Sequence, residues 1–97
     1  MSDATQAAGA QALAALDRAL GAKPRRDGEA FSEATEHLCR MRDALIGSRR
    51  GGVGDRQLER LNSVISSSLA GHFPLGQTPW PEVEKAREEL RALLADG

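Results

Sequence analysis

Three side chains in this chain of 97 residues could bind a soft metal ion: His37, Cys39 and His72. His37 and Cys39 fall on one predicted helix, where a separation of two residues points them about 160° apart. They therefore cannot share a metal ion within one chain, and His-x-Cys is not a zinc-binding spacing. We predict that the protein has no metal site and binds no cofactor.

The residues that could act as nucleophiles lack a catalytic setting. The only basic residue near Cys39 in helical register is Arg42, and a guanidinium is a poor general base. The serines clustered within 63–68 have no G-x-S-x-G elbow and no strand before them. Walker, H-E-x-x-H and G-x-G-x-x-G motifs are all missing from the sequence. We predict a non-catalytic protein, and a small metal-binding protein or enzyme is the third hypothesis.

Arg49, Arg50 and Arg56 form the best candidate anion site. Arg49 and Arg50 lie in a glycine-rich turn just before a predicted helix, whose N-terminal N–H groups and dipole favour a phosphate or carboxylate. A nucleic-acid or anion-binding module is therefore the alternative hypothesis. Nucleic-acid binding is disfavoured because the formal net charge is −1 and no aromatic residues alternate with the arginines.

These residues have to be positioned by helices, since leucines recur at helical spacing and no strand pattern is present. The first predicted helix spans 4–21 and combines leucines with a second stripe of Ala8, Ala12, Ala15 and Ala19. Alanine is common in this chain and favours helix anyway, so the stripe does not require a neighbour. We expect the first turns, within 1–8, to be disordered, and a linker to follow the helix at 21–29.

The second predicted helix, 29–47, has the clearest pattern. Its buried face is expected to carry five apolar residues at spacings of three and four, namely Phe31, Ala34, Leu38, Met41 and Leu45. Cys39 and Ile46 project well away from that face. The apolar arc is therefore wide, which predicts a second neighbour across a subunit boundary.

The third predicted helix spans 55–71, with Asp55 as its N-cap. One face is apolar, and the next carries the small residues Ser63, Ser67 and Gly71, which are typical of a close helix contact. A fourth helix is expected to begin at Thr78-Pro79 or Trp80-Pro81, because proline is favoured at the first helical position.

Between the last two helices lies an apolar connector with the sequence HFPLGQTPWP. Its prolines stiffen it, and Phe73, Leu75 and Trp80 are large apolar side chains in a loop. Two interpretations stay open: these side chains close the end of the bundle, or they bind a partner.

The chain is short enough to form one domain, 1–97. We predict an all-α fold, a small antiparallel up-down bundle of three to four helices. Because three aromatic residues and many alanines make a limited core, self-association would add buried area. We therefore predict a protein–protein interaction module that binds itself, as a homodimer, or another protein, as an adaptor, regulator or accessory subunit. The candidate partner-binding residues are Phe73, Leu75, Trp80, Cys39 and Ile46.

The expected location is the cytoplasm of a bacterium. Eleven arginines against two lysines, with sixteen alanines, are typical of a GC-rich bacterial genome. No apolar segment approaches the roughly 18 residues needed to span a bilayer, and the N-terminal region lacks a basic leader. A single cysteine excludes an internal disulfide and favours a reducing compartment. We expect no membrane partner and no small-molecule substrate.

Overall fold

The computed structural model describes residues 2–48 and 55–96, which fold into four helices with no strand in those ranges. The helices are α1 (Asp3–Gly21), α2 (Gly28–Ser48), α3 (Asp55–His72) and α4 (Trp80–Asp96). The prediction of a small all-α bundle is confirmed, with four helices rather than three. No described helix combines the length and the hydropathy needed to cross a bilayer.

Side-chain caps fix the beginnings of the first two helices. The Ser2 hydroxyl accepts a hydrogen bond from the backbone N–H of Thr5 at 3.2 Å. The Asp27 carboxylate accepts one from the N–H of Ala30 at 3.1 Å. Each cap satisfies an N–H group that has no partner within its helix, which is why short polar residues are favoured at this position.

The helices form a closed ring in which each packs against the next and α4 packs back against α1. Neighbours run in opposite directions. The Gln6 amide, near the start of α1, donates to the carbonyl of Leu94 near the end of α4 at 3.3 Å. Arg18, near the end of α1, is hydrogen-bonded to Glu33 near the start of α2. The predicted up-down arrangement is therefore confirmed.

All four helices contribute to the core, and α1 contributes mostly small residues. The fully buried large side chains include Leu16, Phe31, Leu38, Met41, Leu61, Val64, Val83, Leu90 and Leu93. Burying each such side chain stabilises the fold by about 1.5–3 kcal/mol. On α1, Ala12, Ala15 and Ala19 are buried as well. Most of the alanine stripe thus faces the core and lets the other helices approach α1 closely.

Two buried glycines lie directly against side chains of neighbouring helices. A methyl group at Gly71 on α3 would lie 2.6 Å from Cε1 of Phe31 and 2.8 Å from Cγ2 of Val83. One at Gly9 on α1 would lie 2.5 Å from Cδ2 of Leu94. Both distances are too short for a carbon contact, so each glycine makes room for a neighbouring side chain.

Candidate interaction surface

The exposed large apolar side chains of the described residues lie on α2, on α3 and in the loop that follows α3. In residues 2–48 and 55–96 they are Ile46 (43% exposed), Leu69 (37%), Phe73 (68%) and Leu75 (103%). Ile46 lies on α2, Leu69 on α3, and the other two in the loop that follows α3. Neither α1 nor α4 exposes a large apolar side chain in the described ranges. This asymmetry is the main feature of the surface.

Contacts with α1 show which flank of α2 carries the exposed residues. Glu33 is hydrogen-bonded to Arg18, so the Glu33 flank of α2 faces α1. Cys39 and Ile46 lie at least about 120° around the helix from Glu33. Both side chains are exposed. They therefore lie on the flank of α2 that is nearer α3.

A contact with α4 likewise shows which flank of α3 faces α4 and which faces α2. The Ser67 hydroxyl donates to the Glu82 carboxylate of α4 at 3.2 Å, so this flank of α3 faces α4. Ile65 and Leu69 each lie two residues from Ser67, about 160° around the helix. They are therefore on the flank next to α2, where Ile65 is half-buried against the core.

Together these four residues form what we call the α2/α3 face: Cys39 and Ile46 from α2, with Ile65 and Leu69 from α3. The other three junctions between neighbouring helices are bridged by polar side chains. Arg18 pairs with Glu33 across α1 and α2, and Arg87 lies 3.7 Å from Asp17 across α1 and α4.

Across α3 and α4, Arg60 lies 2.8 Å from Asp96. No side-chain ion pair joins α2 to α3 among the residues that the structure describes. The polar groups at this junction are Arg42, on the same flank of α2 as Cys39, and Arg26, which precedes α2 and donates a hydrogen bond to the His72 carbonyl at the end of α3.

Electrostatics strengthens the contrast at the α1/α2 junction. The Glu33 carboxylate, through its hydrogen bond and then its charge, raises the pKa of Arg18 above the usual value. An arginine is charged at physiological pH in any environment, so this junction presents an ion pair to solvent.

The connector residues separate into two environments. Trp80 is half-buried and packs against the core, with its ring centroid 6.3 Å from that of Phe31 and 6.0 Å from Nζ of Lys23. Phe73 stays exposed and its ring lies 4.2 Å from that of His72. Trp80 thus helps to close the bundle, whereas Phe73 and Leu75 remain at the surface.

A shallow cleft of about 360 Å³ lies beside Trp80. It is lined by Pro24 and Trp80 and by Gly76, Gln77 and Thr78 of the connector. Its described polar side chains are the Gln77 amide and the Thr78 hydroxyl, which are neutral.

The structure places the candidate catalytic and metal-binding residues apart. Among the described residues, no group of three or more His, Cys, Asp or Glu side chains could hold a metal ion. Cys39 is exposed. Two buried polar atoms, Oγ of Ser68 and Nδ1 of His72, have no hydrogen-bond partner in the described part of the chain. Ser68 follows Leu61 by seven residues and Val64 by four, so helical spacing alone places it on their buried face.

Of the candidate anion-binding residues, Arg56 is exposed in the first turn of α3. Arg49 and Arg50 lie outside the described residues. The candidate anion site therefore lies mostly outside the described residues.

Comparisons with known proteins identify no relative of this chain. No protein-family model matches the chain, and neither a curated protein nor a solved structure is significantly similar to it.

Proposed function

We propose that the protein is a non-catalytic helical interaction module that associates with itself through the α2/α3 face. The observation that carries this proposal is the confinement of exposed large apolar side chains to α2, α3 and the loop after α3. Exposed apolar side chains that cluster are typical of protein interfaces, whereas single exposed apolar residues are ordinary. Phe73 and Leu75 extend the surface beyond the face.

The size of the bundle fits a dimer. The molecule measures 42 × 20 × 19 Å, so the outline of one long side is on the order of 800 Å². That is what each partner contributes to an interface of standard size. A second copy also supplies the apolar surface that one small core lacks.

The charges near the face suit a second copy. Arg42 lies on the same flank of α2 as Cys39, and Glu59 lies on the exposed part of α3. Each copy therefore carries both signs, and neither is repelled by a strong net charge. The long side chain of Arg42 can extend to the rim and leave the apolar residues free to pack.

In the cell, such a module would act as an adaptor, regulator or accessory subunit, and the composition suggests the cytoplasm of a bacterium. Trp80, which packs on Phe31, contributes to the fold more than to the interface. Cys39 and Ile46 contribute from α2.

Sedimentation equilibrium and light scattering over the micromolar range test the proposal. The native chain is expected to be a dimer. Ile46→Lys should raise the dimer Kd at least about tenfold, because it places a charge in an apolar contact. The matched control is Ala92→Lys, a substitution at an exposed position of α4. A strict monomer at high micromolar concentration would show that self-association is wrong.

A further inference from the structure

The cleft beside Trp80 combines an aromatic ring with hydrogen-bond donors that have no partner among the described residues. The indole N–H of Trp80 is accessible to solvent and makes no hydrogen bond within the described part of the chain. The Thr78 hydroxyl is in the same state, and the exposed Gln77 amide is also unpartnered there. Three side-chain donors that line one cleft are therefore available to a ligand.

The fold holds the walls of this cleft in place. Trp80 packs on Phe31, with ring centroids 6.3 Å apart, and is half-buried against the core. Pro24, from the loop between α1 and α2, adds a second ring, and its backbone φ is fixed. Gly76 has a φ of 94°, which few other residues adopt, and it lets the connector turn beside the indole. A site that is already formed loses less conformational freedom when a ligand binds.

The charges around the ring favour an uncharged ligand. The Lys23 ammonium lies 6.0 Å from the Trp80 ring centroid, and Glu84 offsets its charge at 3.2 Å. The side chains that line the cleft are all neutral. The matching ligand thus offers an apolar ring to the indole and hydrogen-bond acceptors to the donors, without a net charge.

A proline-rich segment has this combination of groups. Its rings pack on aromatic side chains, and its backbone carbonyls are fully exposed in the polyproline II helix. Proline also has no backbone N–H, so the ligand brings no donor that the cleft would have to satisfy.

We infer that the cleft binds a proline-rich segment of another protein in the polyproline II conformation. One proline ring packs on the Trp80 indole, and neighbouring carbonyls accept hydrogen bonds from the indole N–H, the Gln77 amide and the Thr78 hydroxyl. This site uses none of the residues of the α2/α3 face. It adds a second kind of partner to the self-association proposed above and does not depend on it.

The fluorescence of Trp80 tests the inference directly, because Trp80 is the only tryptophan in the chain. Titration with decaproline, acetylated and amidated at its ends, should shift the emission saturably to shorter wavelength, since a proline ring would exclude water from the indole. A capped glycine–serine decapeptide is the matched control, because it is uncharged and flexible. It should bind at least about tenfold more weakly. No saturable shift with millimolar decaproline, or equal binding of the two peptides, would overturn the site and leave self-association standing.

Two substitutions remove donors and keep Trp80 as the reporter. Gln77→Ala and Thr78→Val should each raise the Kd for decaproline about three- to tenfold, the effect of one hydrogen bond. Asn62→Ala, which removes an exposed amide from the middle of α3, is the control and should bind like the native chain. Native affinity in both cleft variants would overturn the assigned contacts. Decaproline binding by a native chain that sediments as a monomer would support the site and refute self-association.

Discussion

Two sides of the bundle differ in the side chains that they present at the surface. One side is formed by α1 and α4, and the other by α2 and α3. Across α1 and α4, Arg87 lies near Asp17 and Gln6 bonds to the Leu94 carbonyl. The other side exposes Ile46 and Leu69 instead. The same core thus has one side that is covered by polar contacts and another whose apolar residues are available to a partner.

Under the proposed function, the leucines of this small chain divide between folding and association. Those of α4 serve the core, whereas α3 keeps part of its apolar surface outside. The predictions below test this division, in order of their expected effect on the free energy of unfolding.

The largest effect on stability is expected when leucine is replaced by alanine, and the two sides of the bundle should differ in the size of that effect. Leu90→Ala on α4 should lower the free energy of unfolding by about 2–5 kcal/mol, because Leu90 is fully buried and a cavity would remain. Leu69→Ala should cost less than about 1 kcal/mol, since its side chain is partly exposed. Urea unfolding followed by circular dichroism, at concentrations where the protein is monomeric, measures both. Equal losses of unfolding free energy in the two variants would contradict this division of the leucines.

A second pair compares the two buried glycines. Gly71→Ala should cost about 1–3 kcal/mol, because the new methyl group meets the stiff Phe31 ring and the branched Val83 side chain. Gly9→Ala should change stability by less than about 1 kcal/mol. There the methyl group meets the flexible ends of Leu94 and Met41, and alanine favours the helix. Thermal unfolding of both variants measures the two changes in stability. A larger loss of stability for Gly9→Ala than for Gly71→Ala would show the prediction to be wrong.

Replacing Ser68 by alanine should stabilise the protein by about 1 kcal/mol. The Ser68 hydroxyl is buried without a hydrogen-bond partner among the described residues, and alanine is the better helix former. The control is Ser66→Ala at an exposed position of the same helix, where only the gain in helix propensity, a few tenths of a kcal/mol, is expected. A destabilised Ser68→Ala variant would indicate that the hydroxyl has a structural role.

The smallest effect on folding, less than about 0.5 kcal/mol, is expected for Phe73→Ser, because this side chain is largely exposed. The same variant should raise the dimer Kd about three- to tenfold, since Phe73 extends the apolar surface. Gln77→Ala, in the same loop, is the control for both measurements. Unchanged association would remove Phe73 from the interface.

The sequence was sufficient to predict the helices, because local signals mark their ends. Gly21 and Pro24 predicted the end of α1, and Pro79 and Pro81 predicted the start of α4, within a residue or two of the observed bounds. The spacing of apolar residues also predicted the buried face of α2 correctly. The cap at Asp27 was missed, although an aspartate just before a helix is a recognisable signal.

What the sequence could not predict are the contacts between residues far apart in the chain. Phe73 and Trp80 look alike as apolar loop residues, but only the path of the chain brings Trp80 against Phe31. Glu33 and His37 are one helical turn apart, but Glu33 is hydrogen-bonded to Arg18 of another helix. Such choices depend on how helices pack, which periodicity within one helix does not determine.

The adjacency of α1 and α4 also has a consequence for chain connectivity. Gln6 and Leu94 are hydrogen-bonded although 88 positions separate them, so the beginning of α1 and the end of α4 lie side by side. A short linker could therefore join residues 2 and 96 into a ring. New ends could then be opened in the loop between α3 and α4. Such a circular permutant would keep every pair of neighbouring helices and change only the order in which the chain closes its loops.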